Sequence, residues 1–162
     1  MIQTVRPLTI IGAMSRDRVI GRGDGMPWEV PEEYAHFLRT IAGQTVILGR
    51  RSYEIFGEGL TSAHTIVVSR STAAIAGATV APSVDAAVTV AAGFGGRAFS
   101  AGGASLYAQT IPLASTMLLS YIEGEFTGDA YFPAIDGHEW RVERREAHAR
   151  YELVEWRRAD AE

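Results

Sequence analysis

Residues 19–37, VIGRGDGMPWEVPEEYAHF, bring three glycines, a Met-Pro-Trp run, two adjacent glutamates and two aromatic residues into one short stretch. With Pro31 as the first helical residue, where its fixed φ and missing donor cost nothing, Glu32 and Glu33 fall in the first turn. At about 100° per residue the apolar stripe of that helix is Tyr34, Phe37, Leu38 and Ile41. Glu33 stands at the edge of the stripe, one turn before Phe37, and Glu32 points nearly the opposite way. One of the two acids can therefore face a pocket, although both also suit the positive end of the helix dipole. Gly21, Gly23 and Gly25 loosen the backbone ahead of the helix. Met26, Pro27 and Trp28 supply an apolar flap able to close over a flat ligand. A carboxylate beneath such a flap loses water and its pKa rises. It stays charged only against a donor pair such as the amidine-like edge of a heterocycle.

Three further junctions favour anions. GRRSYE places Gly49, Arg50, Arg51 and Ser52 where a strand turns into a helix, and free amides with two guanidinium groups attract phosphate there. A capped helix with solvated arginines would look the same. VVSRS sets Ser69 and Arg70 at the end of the next strand, a second anchor of the same kind. SAGGASLY lets Gly102 and Gly103 bring backbone close to a pyrophosphate, without the full G-x-G-x-x-G spacing, and a tight-packing turn is the competing explanation. Together the three suit an extended, multiply charged ligand, for which a dinucleotide is the obvious candidate.

The elements that must hold these residues follow from apolar periodicity. Buried strands are expected in LTIIGAM from 8, TVILG from 45, HTIVVS from 64, ATVAPS from 78, RAFSAGG from 97 and STMLLSYI from 115. Helical spacing lies between them from 31, 50, 83 and 103. That alternation predicts an α/β fold with a central, mostly parallel sheet and helices on both faces. EWRVERREAHARYELVEWRR alternates charged and apolar residues, which predicts an antiparallel C-terminal hairpin at the sheet edge with one wetted face. Ligands of such sheets sit beyond the carboxyl ends of the strands, where the four junctions fall.

A chain of 162 residues suits one domain, residues 1–162, and the absence of cysteine removes disulfides and thiol chemistry and fits a cytoplasmic location. A net charge of −4 offers no basic stripe to nucleic acid. The opening run MIQTVRPLTIIGAM reads as a strand rather than a leader. The alanine-rich stretch from 72 to 96 is broken by Pro82 and Asp85, short of a membrane span. The histidines at 36, 64, 138 and 148 lack metal-ligand spacing, so no metal is expected. Alternation in the tail needs no partner, and a monomer is expected.

Taken in order, IIGAM, RVIGRGDGMPW, PEEYAHF, VILGRRSYE, IVVSR, AGGASLY and TGDAYFP resemble the dihydrofolate reductase family from about residue 8 to the final strands. The resemblance implies that family's mixed sheet and NADPH as cofactor. It places Glu33 on the pocket carboxylate that holds the pterin's 2-amino and N3 edge, Trp28 on the flap tryptophan that helps through water, and Ser120 on the hydroxyl that steadies the acid. Phe37, Phe56 and Leu60 match the apolar walls, with Ile11, Gly12, Ala101 and Tyr107 also on the substrate side. Arg50, Arg51, Ser52, Ser69 and Arg70 match phosphate contacts. Ala13, Ile20, Gly49, Val68, Ala104, Ser105 and Leu106 join them on the cofactor side, and Gly102 and Gly103 match a pair joined by a cis peptide. The implied reaction is hydride transfer from nicotinamide C4 to pterin C6 with a proton reaching N5 from water, most directly dihydrofolate to tetrahydrofolate.

The sequence also departs from the family. The loop before the third long strand usually carries an arginine for the α-carboxylate of folate's glutamate tail. Here GLTSAHT puts Ala63 there, with Glu58 upstream and His64 as a partial substitute. Ala101 and Gly12 are smaller than the residues common at their positions, which predicts an enlarged cavity. The alternative substrate is a dihydropterin without that tail, of the dihydromethanopterin type. A riboflavin-pathway pyrimidine reductase and a non-catalytic nucleotide- or pterin-binding module rank lower.

Overall fold

The computed structural model describes residues 7–23, 25–71 and 74–159. Residues 1–6 of the opening run, Asp24 of the flap, and Thr72 and Ala73 of the alanine-rich stretch lie outside the described residues. Its elements, in chain order, are β1 (Leu8–Ser15), β2 (Val19–Gly21), α1 (Pro31–Ile41), β3 (Thr45–Gly49), α2 (Arg50–Phe56), β4 (His64–Val68), β5 (Thr79–Ala81), α3 (Val84–Phe94), β6 (Ala98–Ser100), α4 (Ala104–Thr110), β7 (Ala114–Ile122), β8 (Ala130–Tyr131), β9 (Trp140–Ala147) and β10 (Tyr151–Arg158), with a short 3-10 turn at Ile111–Leu113.

Eight strands form one sheet in the order β5-β4-β3-β6-β1-β7-β10-β9. The pairs from β5 to β7 are parallel, whereas β10 runs antiparallel to both β7 and β9. The alternation of side chains along each strand divides the core. Leu8, Ile10 and Met14 of β1 and Ile47 of β3 meet Val84, Ala87 and Ala91 of α3 and Leu106 and Tyr107 of α4. Ile11, Val46 and Leu48 point the other way and meet Ile41 at the end of α1. The period of two thus explains why helices cover both faces. At α3, Ser83 accepts a bond from the Ala86 amide at the N-terminus, and Gly95 ends the helix with φ of 73°, a value few other residues adopt.

The structure differs from the expectation in two ways. β2 and β8 form a separate two-stranded sheet, and segments of three and two residues are too short to show a period. The hairpin sits at the sheet edge, but β9 is exposed on both faces beyond Trp140. Apart from Trp140, burial in the hairpin is confined to β10, at Tyr151, Val154 and Arg158. No helix covers the outermost strand, so its valine is exposed along with its arginines.

Candidate active site

At the carboxyl end of β1, Ile11, Gly12 and Ala13 form the floor of a cavity. α1 contributes Glu33, Tyr34 and Phe37, α2 and the following loop contribute Ser52, Phe56 and Leu60, and Ala101, Gly103 and Tyr107 close the far side. Glu33 is only 6% exposed. Burial raises its pKa above the usual carboxylate range, and a hydrogen bond with Ser120 opposes that rise. Its neighbour Glu32 lies on the opposite side of the helix, gripped by Nε and Nη2 of Arg150 at 2.6 and 2.5 Å. That bidentate bond is the main reason its pKa falls to about 2. The helical spacing therefore sets the two acids apart, one in the cavity and one against Arg150.

Tyr107 donates a hydrogen bond of 2.8 Å to the Ile11 carbonyl. A methyl group built on Gly12 would overlap the Tyr107 hydroxyl. This corrects the expectation that Gly12 enlarges the cavity, because the space released by the missing side chain is filled by a tyrosine from α4. Burial, and then the charge of Glu33, hold that hydroxyl protonated well above the ordinary phenol range. Ala101 is among the residues that line the cavity. His64 does not substitute for a basic residue at the cavity, because its ring lies flat on Phe94 at a centroid distance of 3.8 Å.

The flap is better supported than its glycines suggested. Arg22 and Gly25 exchange backbone bonds of 2.7 and 3.2 Å, and the Gly23 amide donates to Asp129 at 3.1 Å. Met26 reaches the cavity lining. Trp28 is turned into a cluster with Ile122, Tyr151 and Phe126, the last in an edge-on contact at 5.5 Å.

A second cavity adjoins the first and shares Ile20, Ser52, Phe56 and Gly103 with it. Gly49, Arg50 and Arg51 line it from the β3–α2 turn, Val68 from β4, and Ala104, Ser105 and Leu106 from α4. The Gly102–Gly103 peptide is cis, and the Gly49 amide donates to the Gly102 carbonyl at 2.8 Å, locking the two turns together. A side chain on Gly102 would meet the Tyr107 ring at 2.8 Å, and one on Gly103 would meet Ser52 Oγ at 3.4 Å. Glycine is thus required where this turn packs on Tyr107 and Ser52, and the cavity beside it is flanked by guanidinium groups, a donor set that fits a dinucleotide pyrophosphate. Ser69 and Arg70 follow Val68 outside this lining, with the Ser69 amide bonded to Ala81. Sequence reasoning singled out Met26 through the flap but missed Leu48, Ile55 and Gln109. Gln109 bonds back to Ser105, and the helical spacing of four could have found it. Among the described residues, no cluster of three or more histidine, aspartate or glutamate side chains is arranged to hold a metal. No helix among them is long and apolar enough to cross a membrane.

Two joined cavities beyond the carboxyl ends of a mixed sheet, one with a buried acid and one with a glycine-lined anion cradle, define a two-ligand cleft of the α/β class. The dihydrofolate reductase family model matches residues 7–157, and the chain belongs to that family. It is 37% identical to the dihydrofolate reductase of Neisseria meningitidis serogroup B, over 93% of this chain and 98% of that one. It is 34% identical to a type 3 dihydrofolate reductase of Salmonella typhimurium, over 87% of each. Among solved structures, the dihydrofolate reductase of Enterococcus faecalis complexed with NADP(H) and RAB-propyl superposes with a TM-score of 0.86. That match has 25% identity and covers 96% of this chain and 99% of the other.

Proposed function

We propose that the chain, acting as one domain, a monomer and a cytoplasmic enzyme, reduces dihydrofolate to tetrahydrofolate with NADPH. The observation that carries the reading is the buried carboxylate of Glu33, bonded to Ser120, in a cavity that opens onto the glycine cradle. NADPH, when bound, supplies hydride from nicotinamide C4 to pterin C6.

The protein's contribution is alignment, field and dryness. Glu33 meets the donor pair of the pterin edge, which compensates the charge that burial otherwise disfavours. Ser120 holds the carboxylate in position. Phe37, Phe56 and Leu60 clamp the flat rings, and Met26 narrows the access of water from the flap side. Trp28 of the flap, packed with Ile122, Tyr151 and Phe126, would help to fix the pterin edge through water. On the cofactor side Arg50, Arg51 and Ser52 hold phosphates beside the glycines, with Ser69 and Arg70 at the rim beyond Val68. Glu33 lies at the far edge of the pterin and acts on N5 through orientation and field, while the proton comes from water.

Relatives that bear the name dihydrofolate reductase along nearly the whole chain favour this substrate over a tail-free pterin, a riboflavin-pathway pyrimidine and a non-catalytic module. The test is Glu33→Gln, with turnover followed by NADPH absorbance and cofactor affinity by fluorescence titration. Turnover at neutral pH should fall by about a hundredfold or more with NADPH affinity nearly unchanged. Equal turnover in the variant would reject the assignment.

A further inference from the structure

Dihydrofolate ends in two carboxylates, and a protein that reads them needs cations where the tail leaves the cavity. Among the described lining residues of the acceptor cavity there is no arginine or histidine, and Glu33 is the one acid. The chain contains no lysine, so every permanent side-chain cation is an arginine, and the neighbouring ones face elsewhere. Arg39 of α1 lies near His36 and Tyr151, on the side of the hairpin. Arg50 pairs with Glu54 at 3.1 Å, and Arg51 reaches the Gly23 carbonyl at the second cavity. His64 is stacked on Phe94.

What surrounds the acceptor is apolar. Tyr34, Phe37, Phe56 and Leu60 are each half-buried, with the first two stacked at 5.7 Å. Between Phe56 and Leu60 the chain adds an exposed acid, Glu58. Aromatic and aliphatic side chains grip rings well but give a carboxylate nothing in exchange for its water.

Resting on the dihydropterin reductase reading, we infer that the acceptor is held by its pterin and aryl rings alone and that its tail carboxylates remain in solvent, unpaired. The enzyme is then indifferent to tail charge, whereas a bidentate guanidinium contact would discriminate by about tenfold to a hundredfold.

The test compares specificity constants of the full chain, at saturating NADPH, for dihydrofolate and for its dimethyl ester, which keeps the rings and tail length but carries no tail charge. The two should agree within about threefold. The KM for dihydrofolate should also stay nearly constant between about 0.01 M and about 1 M salt, over which the screening length falls from about 30 Å to about 3 Å. A preference of about tenfold or more for the charged substrate, lost at high salt, would overturn the inference and leave the reductase reading intact. Absence of turnover with either substrate would remove both.

Discussion

The cleft and the C-terminal hairpin treat the same chemistry in opposite ways, and two adjacent residues show it. Glu32 faces the hairpin, on whose side Arg16, Arg144, Arg145, Arg150 and Arg157 meet Glu32, Glu123, Glu146, Glu152 and Glu155 at the surface. Glu33 belongs to the cleft, where a single hydroxyl answers it. One carboxylate is pulled below its ordinary pKa by a partner, and the other is pushed above it by the loss of solvent. Charge in water is held cheaply and does little, while charge withdrawn from water is unstable until a ligand completes it.

The sharpest way to break the comparison is at Glu33. Beyond the loss of turnover, Glu33→Gln should make the ligand-free protein melt higher at neutral pH. The folded-state pKa of Glu33 lies above its ordinary value of 4.5, so the folded chain binds that proton more tightly and loses stability as pH rises between the two values. The variant escapes that loss, and its advantage should vanish near pH 4.5 in melting scans run across pH. A constant difference at all pH values would show that Glu33 is not desolvated in solution.

Next in size is Gly12→Ala, whose added methyl must displace Tyr107 and its bond to Ile11. A loss of about 1–3 kcal/mol is expected, read as a drop in Tm of about 2–4 °C for each kcal/mol. Combining it with Tyr107→Phe should recover part of the loss, and strict additivity would mean the two do not touch.

Ser120→Ala removes the one donor that lowers the Glu33 pKa, at about 1 kcal/mol. It should move the pH dependence of stability upward without altering NADPH binding. The smallest effect belongs to Arg150→Ala, which leaves turnover unchanged and alters stability only slightly, less so at high salt. A marked loss of activity there would erase the distinction between the two regions.

Much of this division is legible in the sequence. Pro31 and the spacing of Tyr34, Phe37 and Ile41 locate α1 and separate its acids, because helical geometry is local. The turns after β3 and β6 carried their glycines and arginines in plain view, for the same reason. What stayed hidden depends on residues far apart in the chain. Nothing near Gly12 announces that Tyr107 fills its space, nothing near His64 announces Phe94, and the direction of Trp28 is decided by Phe126. β9 misled for a different reason, since alternation predicts one buried face only where another layer exists to cover it.

The strand order has a consequence for how the chain comes into being. β1 and the β3-β4-β5 group are not neighbours, and β6, three residues long, is the element that joins them. During synthesis the first 97 residues would therefore hold the β3-β4-β5 sheet and, apart from it, β1 with both edges unpaired. The N-terminal portion must wait for Ala98–Ser100 and then for β7, so maturation of the cleft begins late in translation rather than with the segment that carries Glu33.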